Sequence, residues 1–208
     1  IKLSFKIVKS DYLDEEKEDT KKIAAPDALA EKFLKTRQIL LSGETNKELA
    51  EKFNKQLLLL EADSNKPVYV YIDSPGGDVT AGFAIYDMIR FVKCPVVLIG
   101  NGLIASAAAL ILLAVPQNMR VGLPNSEYLI HQPLSGMRGT ATDIQIHTAN
   151  VKKTKAKINK IISEATGKDL KKVEADTDRD YWLDADEALE YGLISKIISI
   201  RDELKKIK

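Results

Sequence analysis

Apolar and polar positions change period several times along the chain, and each change marks an element. Residues 11–22 (DYLDEEKEDTKK) are a mixed charge run with almost nothing to bury, and read as a loop. Pro26 then opens a helical stretch carrying Ala28, Leu29, Ala30, Phe33 and Leu34. QILLS at 38–42 reads as a short strand stopped by Gly43. Residues 46–62 place Leu49, Phe53, Leu57, Leu58 and Leu60 near one side of a helix, with Asn46 as its N-cap. VYVYID at 68–73 is β-branched and aromatic, hence a strand. A Ser74-Pro75-Gly76-Gly77 turn and a helix over 79–92 follow it.

A second such unit begins at once. Residues 96–99 predict a strand, Gly100-Asn101-Gly102 a turn, and 106–115 a buried helix. Shorter strands are expected at 120–123 and 127–131. Strands alternating with helices imply parallel pairing and right-handed crossovers, so the core is α/β. Beyond His131 the style changes. Residues 132–141 are rich in glycine and small side chains, and Thr142 or Asp143 is expected to cap a long helix ending at Thr166–Gly167. That helix is longer than a compact fold of this size needs, and predicts a projection that meets another subunit. A capped helix over 184–191, stopped by Gly192, and a last strand over 193–200 complete the chain.

Composition narrows the function classes. The 208 residues suit one domain with an appendage, and a hydrophobic fraction of 45% supports a sizeable core. Net charge is +1 from 31 basic and 30 acidic residues, which gives no electrostatic reason to expect nucleic acid or an anionic membrane. The uncharged run over 96–115 is long enough to span a bilayer. Its Gly-Asn-Gly interruption and flanking Pro95 and Pro116 favour a buried strand, turn and helix instead. Cys94 is the single cysteine, which excludes an internal disulfide and suits a reducing, cytoplasmic setting. His131 and His147 are the two histidines, too few for a histidine-rich metal site, and no metal is expected. The chain begins at Ile1, with no basic–apolar–small signal pattern at that end.

Ser106 stands where a strand has turned into a helix, among Ala105, Ala107, Ala108 and Ala109. A nucleophilic serine needs such a turn, because amides of the helix's first turn then face developing negative charge. The same position also suits an ordinary serine N-cap, and local chemistry favours that plainer role. His131, at a strand end before Gln132-Pro133, is by itself better read as a hydrogen-bonded structural residue. It is nonetheless the better-placed base, since His147 falls on the long helix. Gly76-Gly77 allows close backbone approach, and lacks the lysine and spacing of a phosphate-binding loop. The Gly77 and Ala107 amides would serve as an oxyanion hole. Asp143, Asp169, Asp176, Asp178, Asp180, Asp184 and Asp186 all follow His131, and spacing does not choose which would orient its imidazole.

A series of segments resembles one family, the proteolytic subunits of the Clp protease (ClpP). They are Ser74-Pro75-Gly76-Gly77, Val79-Thr80-Ala81-Gly82, Ala84-Ile85-Tyr86-Asp87, Leu123-Pro124-Asn125-Ser126 and Ile130-His131-Gln132-Pro133-Leu134. Ala141-Thr142-Asp143-Ile144, Asp176-Thr177-Asp178-Arg179-Asp180 and Glu187-Ala188-Leu189-Glu190-Tyr191-Gly192-Leu193 complete the series. The match runs in order over about residues 36–200.

The resemblance implies a ClpP/crotonase-like spiral of ββα units with a projecting handle helix. It divides the chain into an N-terminal axial-loop segment with the first helix (1–35) and a peptidase domain (36–208) with a handle at about 132–168. It implies a serine endopeptidase with Ser106 as nucleophile, His131 as base and Asp180 as orienting aspartate. Gly77 and Ala107 take the oxyanion positions, and Gly136, Met137, Arg138 and Gly139 would pair with extended substrate. Asp178 and Arg179 match ring-contact positions, and Tyr69, Tyr71, Phe91 and Leu123 match a groove that docks an ATPase. Two stacked seven-membered rings, or mixed rings with a second ClpP-type subunit, would enclose the sites. An AAA+ unfoldase would feed in unfolded polypeptide and use the ATP, so this chain needs no cofactor.

Departures from the family pattern are informative. Ile104 and Ala108 stand where alanine and glycine are usual, which predicts a crowded turn around Ser106 and reduced activity. Asn101 replaces an apolar groove residue, and the segment before Phe33 is unlike the usual N-terminus. Together they suggest a divergent paralogue working in a mixed complex. An inactive ring subunit or a crotonase-like acyl-CoA enzyme are the other readings; the second leaves His131 and the DTDRD segment unexplained.

Overall fold

The computed structural model describes residues 28–207, so the expected N-terminal axial segment lies almost wholly outside the described residues. Its elements are α1 (Ala28–Lys35), β1 (Gln38–Ser42), α2 (Lys47–Asp63), β2 (Val68–Ser74), α3 (Val79–Phe91), β3 (Val96–Ala105) and α4 (Ala107–Leu112). Then follow β4 (Arg120–Gly122), β5 (Glu127–Ile130), α5 (Ala141–Thr166), α6 (Leu170–Asp176), β6 (Tyr181–Leu183), α7 (Ala185–Tyr191) and β7 (Lys196–Ile197). Strands β1-β2-β3-β4-β7 lie side by side and all pair in parallel. The parallel sheet follows from helical crossovers between buried strands such as β2, whose Val68, Val70 and Ile72 are fully enclosed.

Strand β3 differs from its sequence expectation in a way that builds the site. It does not end at Ile99 but continues through Gly100-Asn101-Gly102 to Ala105. Its first half pairs with β4 (Leu98 beside Arg120), and its second half pairs with β5 (Leu103 beside Glu127, Ala105 beside Leu129). The change of partner occurs at Gly102, whose φ of +79° suits glycine. The Asp73 carboxylate packs against Gly102 and accepts the Leu103 N–H at 3.1 Å. One strand therefore pairs with two different neighbours within a single seven-stranded sheet.

Most helix ends agree with the expectation. The Asn46 side chain accepts the Leu49 N–H, and Asp184 with Glu187 forms a capping box. The long helix is capped by Thr140 rather than Thr142 or Asp143, with Asp143 as the third helical residue of the box. In α5 only Ile158, Asn159 and Ile162 are buried, all in the C-terminal half, while Ile144 and Ile146 are exposed. The whole helix is roughly 39 Å long at 1.5 Å per residue, and its N-terminal half projects as expected. Leu58 is exposed and Ala50 is buried in its place on α2. The expected last strand shrinks to Lys196–Ile197, and α6 and β6, both absent from the sequence reading, occupy 170–183. Short elements of three to seven residues give too few periods to be seen in a pattern of apolar positions.

Two apolar clusters result. The larger joins the helices to one face of the sheet, and the smaller gathers Val97, Ile99, Val121, Ile198 and Leu204 on the other. No helix among the described residues is long and apolar enough to cross a membrane. The 96–115 run is the buried strand and helix expected, without the turn between them.

Candidate active site

Three neighbouring strands end at one place. Ser106 follows the last residue of β3, and its N–H donates to Leu129 O of β5 at 2.9 Å. His131 follows the last residue of β5. Strand β6 runs antiparallel to β5 with Ile130 opposite Tyr181, so the next pair outward is His131 and Asp180. Sheet register alone brings the three side chains together, and their atoms meet. His131 Nε2 lies 2.8 Å from Ser106 Oγ, and His131 Nδ1 lies 2.9 Å from Asp180 Oδ1.

The seven candidate aspartates now separate. Asp143, Asp169 and Asp184 cap helices, and Asp186 lies in the first turn of α7. Asp176 accepts from Tyr191 Oη and pairs with Lys172, and Asp178 pairs with Lys155. Asp180 is the one that reaches His131.

Ser106 sits at φ +56°, ψ −117°, outside the regions a side chain ordinarily allows, and its hydroxyl caps nothing. The plain N-cap role is therefore not the one it plays. Strain of this kind costs about 1–3 kcal/mol and persists only where the surroundings enforce it. Gly76 is part of that enforcement. A Cβ added to it would lie 2.5 Å from Ala105 O and 2.7 Å from Ser106 Cβ. The Gly76-Gly77 turn is pressed onto the serine turn from one side. Thr45 N–H donates to Gly76 O and Asp78 N–H donates to Thr45 O, which points the Gly77 N–H away from that bridge. Ala107 is the first residue of α4, so its N–H has no partner within the helix.

Ser106 and His131 line a small pocket with Val79, Ala109, Leu110, Pro133, Ile158 and Ile162. The pocket is apolar beyond the two catalytic candidates, and α5 supplies two of its walls. Ile104 and Ala108, expected to crowd the turn, are fully buried in the main core and do not line it. No group of three or more His, Cys, Asp or Glu that could hold a metal occurs among the described residues.

The remaining candidates divide. Gly136–Gly139 lie in irregular, exposed backbone and are not in a strand of this chain. His147 bonds Ser135 at 2.7 Å and takes no part in the serine site. Tyr69, Tyr71 and Leu123 pack together against the smaller cluster, whereas Phe91 is 76% exposed and outside it. Asp178 and Arg179 are exposed next to the site. Sequence reasoning gave no role to Lys155 or Asn159, and placed Gln132 only as a motif residue, though all three bond the loops carrying His131 and Asp180. Their signal was only a helix position and a chain neighbour.

Comparison with known proteins bears on the family and the fold. The family model described as Clp protease matches residues 21–201. A protein of Treponema denticola named ATP-dependent Clp protease proteolytic subunit 2 is 59% identical over 93% of this chain and 98% of its own length. A Rhizobium etli protein named proteolytic subunit 3 is 44% identical over 92% and 99%. The solved structure of a ClpP1 point mutant from Listeria monocytogenes is similar with a TM-score of 0.80 at 44% identity, covering 85% of this chain and 99% of that one. With a parallel α/β core, a projecting helix and a family match over most of its length, the chain belongs to the Clp protease family and is a peptidase of the proteolytic-subunit type.

Proposed function

We propose that this chain is a serine endopeptidase in which Ser106, His131 and Asp180 form the catalytic triad. The carrying observation is the continuous chain of bonds from Ser106 Oγ through the imidazole to Asp180. The Ser106 oxygen attacks the scissile carbonyl carbon while His131 Nε2 takes its proton. Asp180 holds the Nδ1–H and stabilises the imidazolium that forms. The oxyanion is met by the Gly77 and Ala107 N–H groups, both aimed away from their own elements. His131 then returns the proton to the leaving amine, and water hydrolyses the acyl group from Ser106. Water is the only co-reactant, so the chain needs no cofactor.

The apolar pocket receives one substrate side chain, and the irregular Gly136–Gly139 segment offers unpaired backbone to an extended substrate. The projecting half of α5 with exposed Ile144 and Ile146 supports assembly of two stacked rings in a cytoplasmic particle. Asp178 and Arg179 stand at ring contacts. Tyr69, Tyr71, Leu123 and Phe91 supply the surface for an AAA+ unfoldase, which delivers unfolded protein. A second reading is a weakly active or structural subunit of mixed rings, favoured by the numbering of its relatives as subunits 2 and 3.

Fluorophosphonate labelling with peptide mapping tests the first reading. Label on Ser106, lost in His131→Ala, is expected. An assembled particle that takes no label, alone or with a paralogous subunit, would overturn it.

A further inference from the structure

We propose that Lys155 is a positioning residue, a brace on α5 that holds the two loops carrying His131 and Asp180 in register. The proposal rests on the reading of Ser106, His131 and Asp180 as the catalytic set. Gln132, next to His131, donates its N–H to Thr177 O at 2.6 Å and its side-chain amide to Asp178 O at 2.6 Å. These bonds join the two loops. The Lys155 ammonium then donates to Gln132 Oε1 at 3.0 Å and to Asp178 Oδ1 at 3.1 Å. One turn further along, buried Asn159 accepts from Thr177 Oγ1 at 3.0 Å. Residues four apart share a helix face, and Ile158 and Ile162 beside them line the pocket at Ser106. One face of α5 thus supports both the pocket and the loops.

The chemistry needs a cation with several donors. Gln132 Oε1 and Asp178 Oδ1 are acceptors on separate segments, and an ammonium satisfies both at once. The other lysines of α5 do not substitute. Lys157 lies over the Phe83 ring and Lys160 pairs with Glu164, while Lys152 and Lys153 are exposed. Asp180 itself is 63% exposed, and His131 is its only side-chain partner among the described residues. Its place beside the imidazole therefore depends on how its backbone is held. A displacement of about 1 Å in such a set costs about 100-fold in rate.

The test uses the assembled full chain with Lys155→Met, Lys155→Arg, Gln132→Leu and the double variant Lys155→Met/Gln132→Leu. In Lys155→Met, kcat on a fluorogenic peptide is expected to fall about 10- to 100-fold, with KM within about twofold and assembly retained. Lys155→Arg regains most of the rate. The double variant is no worse than the poorer single, because both side chains act through one brace. The chain has only two histidines, so the downfield His131 Nδ1 proton is readily assigned with His147 as control. That signal weakens in Lys155→Met and returns in Lys155→Arg. Unchanged kcat with an unchanged signal, losses that multiply in the double variant, or Lys155→Arg as impaired as Lys155→Met would each overturn the brace. If Lys155→Met fails to fold, Gln132→Leu carries the same comparison. If wild-type Ser106 takes no label, the catalytic reading falls, while the imidazole signal still decides the brace.

Discussion

His131 and Asp180 face each other across adjacent antiparallel strands, one residue beyond the Ile130–Tyr181 pair, and their side chains bond at 2.9 Å. Forty-nine residues of chain separate them, yet their approach is fixed by a three-residue ladder. A one-residue slip of β6 would turn Asp180 to the opposite face.

Asp180→Asn keeps the shape and loses the charge that stabilises the imidazolium. We expect kcat to fall by about a thousandfold or more, with modest change in KM. Asp176→Asn, which touches Tyr191 and Lys172 instead, should leave kcat within about threefold. Steady-state peptide hydrolysis by the two variants decides whether register or mere proximity selects the aspartate.

The backbone of Ser106 gives a stability prediction opposite in sense to the activity. With Ser106 as the proposed nucleophile, Ser106→Gly and Ser106→Ala should both abolish hydrolysis. Glycine accepts φ +56° freely, so Ser106→Gly should be more stable than Ser106→Ala by about 1 kcal/mol in denaturant unfolding. Equal stabilities would mean the turn is not strained.

Gly76→Ala adds a methyl group where Ala105 O and Ser106 Cβ already stand, on a residue with φ +84°. The serine turn must move to admit it. A loss of about 2–3 kcal/mol in stability and of nearly all fluorophosphonate labelling is expected. Lys52→Ala, at an exposed position of α2 with no part in the site, is the control, and should leave the labelling rate within about twofold.

Burial pushes the Tyr128 phenol up to about 12, against an ordinary value of 10.0. The neutral form is thus favoured in the fold. Its contribution is fully present below pH 10 and is lost as pH rises from there through about 12. Tyr191 is raised too, first by burial and then by Asp176, and acts in the same direction. Unfolding followed between about pH 9 and 12 should show a steep alkaline decline that is shallower in Tyr128→Phe. A decline of the same slope in that variant would assign it to other groups.

Much of this protein is legible in its sequence because the deciding interactions are local. The N-caps at Asn46 and Asp184, the glycine stops at Gly167 and Gly192, and the buried strands depend on neighbours within a few residues. Motifs single out Ser106 and His131 as the candidate nucleophile and base, although local chemistry alone favours plainer roles for both. What a pattern cannot carry is a partnership between distant segments. The continuation of β3 past Gly102 depends on Asp73 and on a change of partner strand from β4 to β5. The short β6 exists only because β5 offers it a ladder, and that ladder chooses Asp180 over six other aspartates. Ile104 and Ala108 look obstructive in sequence, and only the packed turn shows that they point into the core. The same holds for Lys155, one of five lysines on its helix, distinguished only by the two loops it touches. Periodicity and capping determined the elements; strand register, set by long-range hydrogen bonding and packing, determined the site.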